Sequence, residues 1–486
     1  MTALRSRIPS VIEWFRGIPP GLTLHIACAG VLLAILTRPV YDSDLFWQLR
    51  TGEIVLDTGA LPEHEPFLAD KSTEPFTPVA WAGQTVYALI RRIGGWPLLH
   101  VVDGLLWVGG LAAAVRCARR NGAGPWAAAF AIILASHAAF SSVSTRPQTF
   151  GLFAFGLLIL LVGNGRPSWQ RCLLAMGLLV VWQNLHPSAA IGIIWLGGVV
   201  VVAWYRRIRG MPPTPWTITL FTLASPLAVI ATPAGLGMIQ VSAVNTEISI
   251  WMEINEWLSL WELARRGDHR IEAWIGLLAF LLVLVFRRRH LRAEHVVPAL
   301  ILVVMALGSY RFVLFWAAAA VPVWAAGFTH KSSSPIAPAP FGWSARVAAL
   351  VGWALAVIVP TLWNPTHLAE YVPHNAVARL KEEKPEGTIY CDVVWAGVLV
   401  DEGSRDWRVS HDGRFYLRSK EEWTRYFAAC QGETPVYELD RQWQPVAFVL
   451  RLGFEDRLIA LLRDHPGWRE LIPEKDCVVF IRSTSR

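Results

Sequence analysis

Long apolar stretches recur through the first three quarters of the chain, and no other feature narrows its folding as much. They lie at 21–40, 97–115, 125–143, 147–163, 169–185, 187–204, 216–232, 272–286, 296–309, 312–328 and 345–362. Runs of this kind suit helices that cross about 30 Å of hydrocarbon. About eleven spans follow. The composition agrees. Hydrophobic residues make up 54% of the 486 and charged residues only 17%, against about 25% in an average soluble domain, and the mean hydropathy is +0.39. One soluble core cannot absorb that much apolar surface.

The net charge of +7 would suit a nucleic-acid binder, but its distribution excludes one. Residues 1–364 carry 27 Lys/Arg and 17 Asp/Glu, and residues 365–486 carry 17 and 20. The basic excess lies in short loops between apolar runs, the pattern that orients membrane proteins. With a cytoplasmic N-terminus, alternation gives the inner loops 17 of the 27 basic residues, among them Arg116, Arg119, Arg206, Arg207 and Arg287, beside only Glu13 and Glu294. The outer side receives 10 basic and 14 acidic residues. The tail is therefore expected outside. A cleaved signal peptide also fits the basic start with Arg5, Arg7 and Arg16; a retained first helix is preferred because no A-x-A site precedes Arg38.

The reading is an α-helical polytopic membrane domain over 1–363, with long outer loops at 41–96 and 233–271, and a small extracytoplasmic α/β domain over 364–486. "GTIYCD", "WRVSHD", "VAFVLR" and "DCVVFIRS" read as strands, and "SKEEWTRYFAACQG" and "EDRLIALLRDHPG" as helices. The segment "THKSSSPIAPAPFGWSAR" reads as a flexible inner connector. Cys28, Cys117 and Cys172 fall in or beside apolar runs. Of Cys391, Cys430 and Cys477 in the tail, two can pair if it is extracytoplasmic.

Polar residues gather at the outer ends of the spans. "YDSDLFWQLR" (41–50) supplies Asp42 and Asp44, and "STRPQTF" (144–150) supplies Arg146 and Gln148. "WQNLHPS" (182–188) supplies Asn184 and His186, "EINEWLS" (253–259) Glu253 and Glu256, and "GSYRFV" (308–313) Arg311. Polar groups at membrane depth usually face an interior or a water-filled cavity, so an outward-opening cavity is expected. Each residue also has a plainer reading. Asp42 can cap, and Asp44 begin, an interfacial helix 44–58. Trp47, Trp81 and Trp96 can anchor at the interface. Arg146 and Arg311 can snorkel to headgroups, and Asp103 can hydrogen-bond a neighbouring helix. In the functional reading a carboxylate acts as a general base or holds a divalent cation, and arginines grip a phosphate.

"DSDLFWQLRTGEIVLDTGALPEHEPF" with "WAGQTVYALIRRIGG" resembles the first outer loop of bacterial membrane proteins of the GT-C glycosyltransferase superfamily. The likeness extends to "RPQ", "NLHPS", "EW" and "VSHDGRFYLRSKEEW". Oligosaccharyltransferase catalytic subunits of that superfamily carry an aspartate followed six residues later by arginine, a spacing that Asp44 and Arg50 share. The resemblance implies transfer of a sugar from a polyprenyl-phosphate-linked donor to a cell-envelope glycan, lipid or protein on the outer face of the inner membrane. Asp44 and then Asp42 would be catalytic, or ligands of a divalent cation (Mg or Mn). Arg146, Arg311 and Arg50 would hold the donor phosphate. Gln148, Asn184, His186, Glu253 and Glu256 would line the substrate pocket. No second outer-loop acidic motif and no WWD-type acceptor motif is present. The alternative is a non-catalytic transporter, flippase or scaffold for lipid-linked glycans. A transporter of that kind would be expected to have related halves, which the sequence lacks.

Overall fold

A computed structural model of the chain describes residues 19–211, 214–329, 342–471 and 476–483. Arg5, Arg7, Arg16 and most of the Pro/Ser-rich connector lie outside the described residues.

Each of the eleven apolar runs is occupied by a helix. By length and composition four of them are long enough to cross a membrane: Trp81–Arg120, Ala189–Ile208, Tyr310–Phe328 and Trp343–Trp363. Others are shorter. The run at 216–232 is broken at Ser225 and Pro226 into Trp216–Ala224 and Leu227–Ile230, and Pro125–Ala138 has only 14 residues. Length alone thus assigns fewer crossings than eleven. The run at 97–115 is one half of a longer helix, Trp81–Arg120, bent where Gly94 and Gly95 leave helical dihedrals. Its other half belongs to the first outer loop.

The helical bundle closes through small residues, as expected where lipid offers no hydrophobic drive between helices. A Cβ on Gly156 would lie 2.0 Å from the Gly110 carbonyl oxygen, so Gln148–Val162 meets Trp81–Arg120 backbone to backbone. Val313–Phe328 runs through the centre, with Trp316 and Trp324 fully buried. Trp343–Trp363 instead exposes Leu355, Leu362 and Trp363 outward, as a lipid-facing helix would.

Outside the bundle, the first loop begins with Ser43–Thr58, the helix expected at 44–58. The second loop contains Gly237–Trp251 and a short turn, Asn255–Trp257. The tail folds into five strands, β1 (Gly387–Cys391), β2 (Trp407–Val409), β3 (Pro445–Arg451), β4 (Trp468–Glu470) and β5 (Cys477–Arg482), in the order β2-β1-β3-β5-β4. β1 is parallel to β2 and β3; β5 is antiparallel to β3 and β4. Both expected tail helices are present, as Lys420–Cys430 and Asp456–Arg463. Four elements were not expected: His374–Glu382, Ala396–Glu402, Val436–Trp443 and β4. Among the described residues no disulfide joins Cys391, Cys430 or Cys477, and all three are buried.

The sheet shares a hydrophobic core with the first outer loop. Phe46, Trp47, Phe67 and Leu68 pack with Ile389, Val409, Val449 and Val479. At the sheet edge, Val409 N donates to Phe67 O at 2.9 Å. Arg91 in the outer half of the bent helix pairs bidentately with Asp401. Loop and tail thus form one wall over the membrane domain.

Candidate active site

Asp42 is extended and caps Ser43–Thr58, accepting from Asp44 N at 3.0 Å through Oδ1. The capping reading is correct for it, and it also does more. Its Oδ2 accepts from Ser144 Oγ at 2.8 Å and lies 3.3 Å from Arg146 Nη1. The other arm of Arg146 holds Glu256. Arg146 therefore ties the first loop to the second and does not snorkel to headgroups. Burial works against the charge of Glu256, but Arg146 and Arg311 overcome it and hold the carboxyl below its usual range.

Asp44, the second residue of that helix, faces the tail. Its Oδ1 accepts from Trp47 Nε1 at 3.1 Å, while Oδ2 takes no protein donor among the described residues. Burial, with Asp42 close by, pushes this carboxyl up to about 7; the Trp47 hydrogen bond and Arg146 pull the other way. Trp47 is thereby a buried partner of the acid, not an interface anchor.

The tail reaches Asp44 through "DGR". A Cβ on Gly413 would sit 1.9 Å from Asp44 Oδ1, so any larger residue there has to displace the Asp44 carboxylate. Either side of Gly413 is pinned. Arg414 donates to both Glu65 oxygens at 2.6 Å and from Nε to Asp412 at 3.0 Å, with its guanidinium 5.3 Å from the Trp47 ring. All three charged groups are buried. A buried charge is tolerated only when paired and hydrogen-bonded like this.

These elements enclose a cavity of about 840 Å³. From the membrane side it is lined by Asp42, Asp44, Arg146, Gln148, His186, Glu253, Glu256 and Arg311. From the tail come Gly413, Arg414, Tyr416 and Arg451. Arg311 is set by the turn before Val313–Phe328. Tyr310 N donates to Leu258 O at 2.9 Å, and the Arg311 guanidinium lies 3.9 Å from the centre of the Trp257 ring. His186 bonds Ser188 Oγ at 2.8 Å, and burial, with Arg311 and Arg146 nearby, pushes its imidazole down to about 3. Glu253 sits at the rim and pairs with Arg266 at 3.1 Å. A smaller cavity of about 330 Å³ adjoins, sharing Arg146, Glu256 and Arg311 and adding Arg38 and Arg270.

Two expected site residues lie elsewhere. Arg50 does not line the cavity, because six residues along a helix turn a side chain about 240° away; its charge faces Asp401. Asn184 spends its amide on structure, accepting from Trp81 Nε1 at 2.8 Å and donating to Ala231 O at 2.7 Å. That bond also makes Trp81 a brace, not a free anchor. Asp103 accepts from Tyr87 of its own bent helix and also interacts with Thr149 of the neighbouring helix Gln148–Val162, as expected. The cation expectation fits poorly too. Both Asp42 oxygens are engaged, and among the described residues no three His, Cys, Asp or Glu side chains group to hold a metal. The tail residues Gly413, Arg414, Tyr416 and Arg451 escaped the sequence reading as site residues; the "DGR" likeness is a local signal for the first three, and Arg451 has none.

No protein-family model and no curated protein sequence matches the chain. Solved structures do. ArnT from Cupriavidus metallidurans, bound to undecaprenyl phosphate, aligns with a TM-score of 0.58 at 13% identity, over 96% of this chain and 98% of that one. An Archaeoglobus fulgidus oligosaccharyltransferase, solved with Zn and sulfate, aligns at 0.55 and 12% identity over 92% and 72%. The mycobacterial arabinofuranosyltransferase AftD aligns at 0.53 and 14% identity over 95% of this chain, which spans 40% of AftD's length. The chain is a membrane protein with the fold that these glycosyltransferases share, the GT-C architecture that its first outer loop resembles.

Proposed function

We propose that the protein transfers a sugar from a polyprenyl-phosphate-linked donor to a cell-envelope acceptor on the outer face of the inner membrane, with Asp44 as general base. The observation that carries this is Asp44 itself: a carboxyl raised to about 7, with one oxygen unclaimed, lining a cavity that also contains Arg311, which forms no close ion pair among the described residues. A base works best with a pKa near the working pH. In the transfer, the acceptor oxygen bonds to the anomeric carbon as its hydroxyl proton passes to Asp44. The bond from that carbon to the phosphate oxygen breaks, and polyprenyl phosphate leaves as an anion. Arg311, with Arg38 and Arg270 in the adjoining cavity, answers its charge. An apolar groove lined by Ile26, Val31, Ile133, Phe140 and Val143 ends beside that cavity and suits the prenyl chain. The fold shared with ArnT, solved with undecaprenyl phosphate, supports the same donor class.

The test uses purified protein, short-chain polyprenyl-phosphate sugars and an envelope extract as acceptor, and measures polyprenyl phosphate release. Release by the wild type should rise with pH through about 7 and be absent in Asp44→Asn. Equal release by a folded Asp44→Asn variant would remove the base.

A further inference from the structure

The tail's sheet is parallel in one half, and its topology points at the cavity. β1 lies between β2 and β3 and is parallel to both. The chain leaves β1 for β2 on one side and returns to β3 on the other, so the strand order reverses between β1 and β3. In open α/β sheets, ligands bind outside the carboxyl ends of the strands at such a switch, where the loops part. Here all three carboxyl ends open on the cavity. β1 runs into Val393 and Val394, β2 leads to Gly413, and β3 ends on Arg451. Asp392 holds the switch together. Its N–H donates to Val449 O at 3.0 Å, its Oδ1 accepts from Val394 N at 2.7 Å, and its Oδ2 lies 3.1 Å from Arg451 Nε.

The cavity's charges are unequally committed. Arg146 spans Asp42 and Glu256, and Arg414 is closed off by Glu65 and Asp412. Arg311 stacks on Trp257 and forms no ion pair with a carboxylate among the described residues. Arg451 meets Asp392 at Nε, its guanidinium lies 4.7 Å from the Phe454 ring, and its side chain keeps 34% of its surface open. Two guanidinium forks thus remain for ligands, one on the membrane side and one on the tail. A forked donor suits a phosphate or carboxylate. The donor's phosphate accounts for one of them.

We propose that the acceptor is an anionic sugar whose phosphate or carboxylate is gripped by Arg451 at the β1–β3 switch of the tail. This rests on the transferase reading, with Arg311 assigned to the donor. The loop after β2 carries the same wall to Asp44, so an acceptor seated there presents its hydroxyls toward the base.

The test titrates full-length protein in detergent with glucose 1-phosphate, glucuronate and, as the neutral control, glucose. Farnesyl phosphate probes the donor side. The anionic sugars should bind the wild type and glucose should not. Arg451→Gln and Arg451→Lys should each weaken them roughly tenfold or more and leave farnesyl phosphate alone, with Arg311→Gln doing the reverse. Arg451→Lys keeps a positive charge beside Asp392, so it separates anion grip from support of the fold. Anionic sugars binding no better than glucose, or wild-type affinity in Arg451→Lys, would overturn the proposal. So would an equal loss of farnesyl phosphate at Arg451, which would place that residue on the donor. Farnesyl phosphate binding to no form, with the sugars still lost at Arg451, supports the anion site and removes the donor reading instead.

Discussion

At the scale of single residues, two aspartates two positions apart have separate tasks. Asp42 points back along its helix and is consumed by the cap, Ser144 and Arg146. Asp44 points at the tail and keeps an oxygen for the cavity. Composition and position announced that both were unusual; only the fold separates them. The arginines divide similarly. Arg146 is a brace between carboxylates, whereas Arg311 offers its fork. Arg311→Lys should therefore weaken a short-chain polyprenyl phosphate by about 1.5–3 kcal/mol, the value of a charge-assisted bond, with the melting temperature nearly unchanged. Arg146→Ala should lower the melting temperature, because it leaves half-buried Asp42 and Glu256 without the cation they share. Thermal unfolding and lipid titration of the two purified variants separate these outcomes; wild-type lipid affinity in Arg311→Lys would take Arg311 out of the donor site.

At the scale of elements, the long apolar helices were legible because hydrophobic length needs no tertiary partner to be read. The outer half of Trp81–Arg120 was not, since its Arg91 and Arg92 look like loop residues until Asp401, Glu53 and Asp57 are placed beside them. Ala396–Glu402 was missed because seven residues, five of them buried, give no polar face to count. Hardest to foresee was the meeting of residues 44 and 413, which no local pattern encodes. It makes a specific demand. Gly413→Ala would put a methyl 1.9 Å from the Asp44 carboxylate, and backbone pinned by the buried Arg414–Glu65 pair has little room to retreat. Transfer should fall to near the Asp44→Asn level while the protein still purifies as a folded species, as judged by its elution profile and melting temperature. Undiminished turnover in Gly413→Ala would mean that the tail yields there and does not help set the acid.

At the scale of the whole molecule, the turns carrying Asp42, Arg146, His186, Glu256 and Arg311 line one cavity with the tail. Those loops and the tail must then share one side of the membrane, whatever the number of crossings. Two orientations remain, and the basic residues choose between them. Arg116, Arg119, Arg206, Arg207, Arg287 and Arg288 lie at helix ends away from the cavity, and positively charged loops stay cytoplasmic. We predict that the cavity and the tail face away from the cytoplasm. A reporter that folds only outside the cytoplasm, fused after Arg486, should be active, and one that folds only inside should be silent. A cysteine replacing Arg119 should react with a membrane-impermeant reagent only after the membrane is opened. If instead the tail reporter works inside and that cysteine labels in intact cells, the cavity opens to the cytoplasm. The acceptor could then no longer be an envelope molecule on the outer face, although Asp44 and its arginines would keep their geometry.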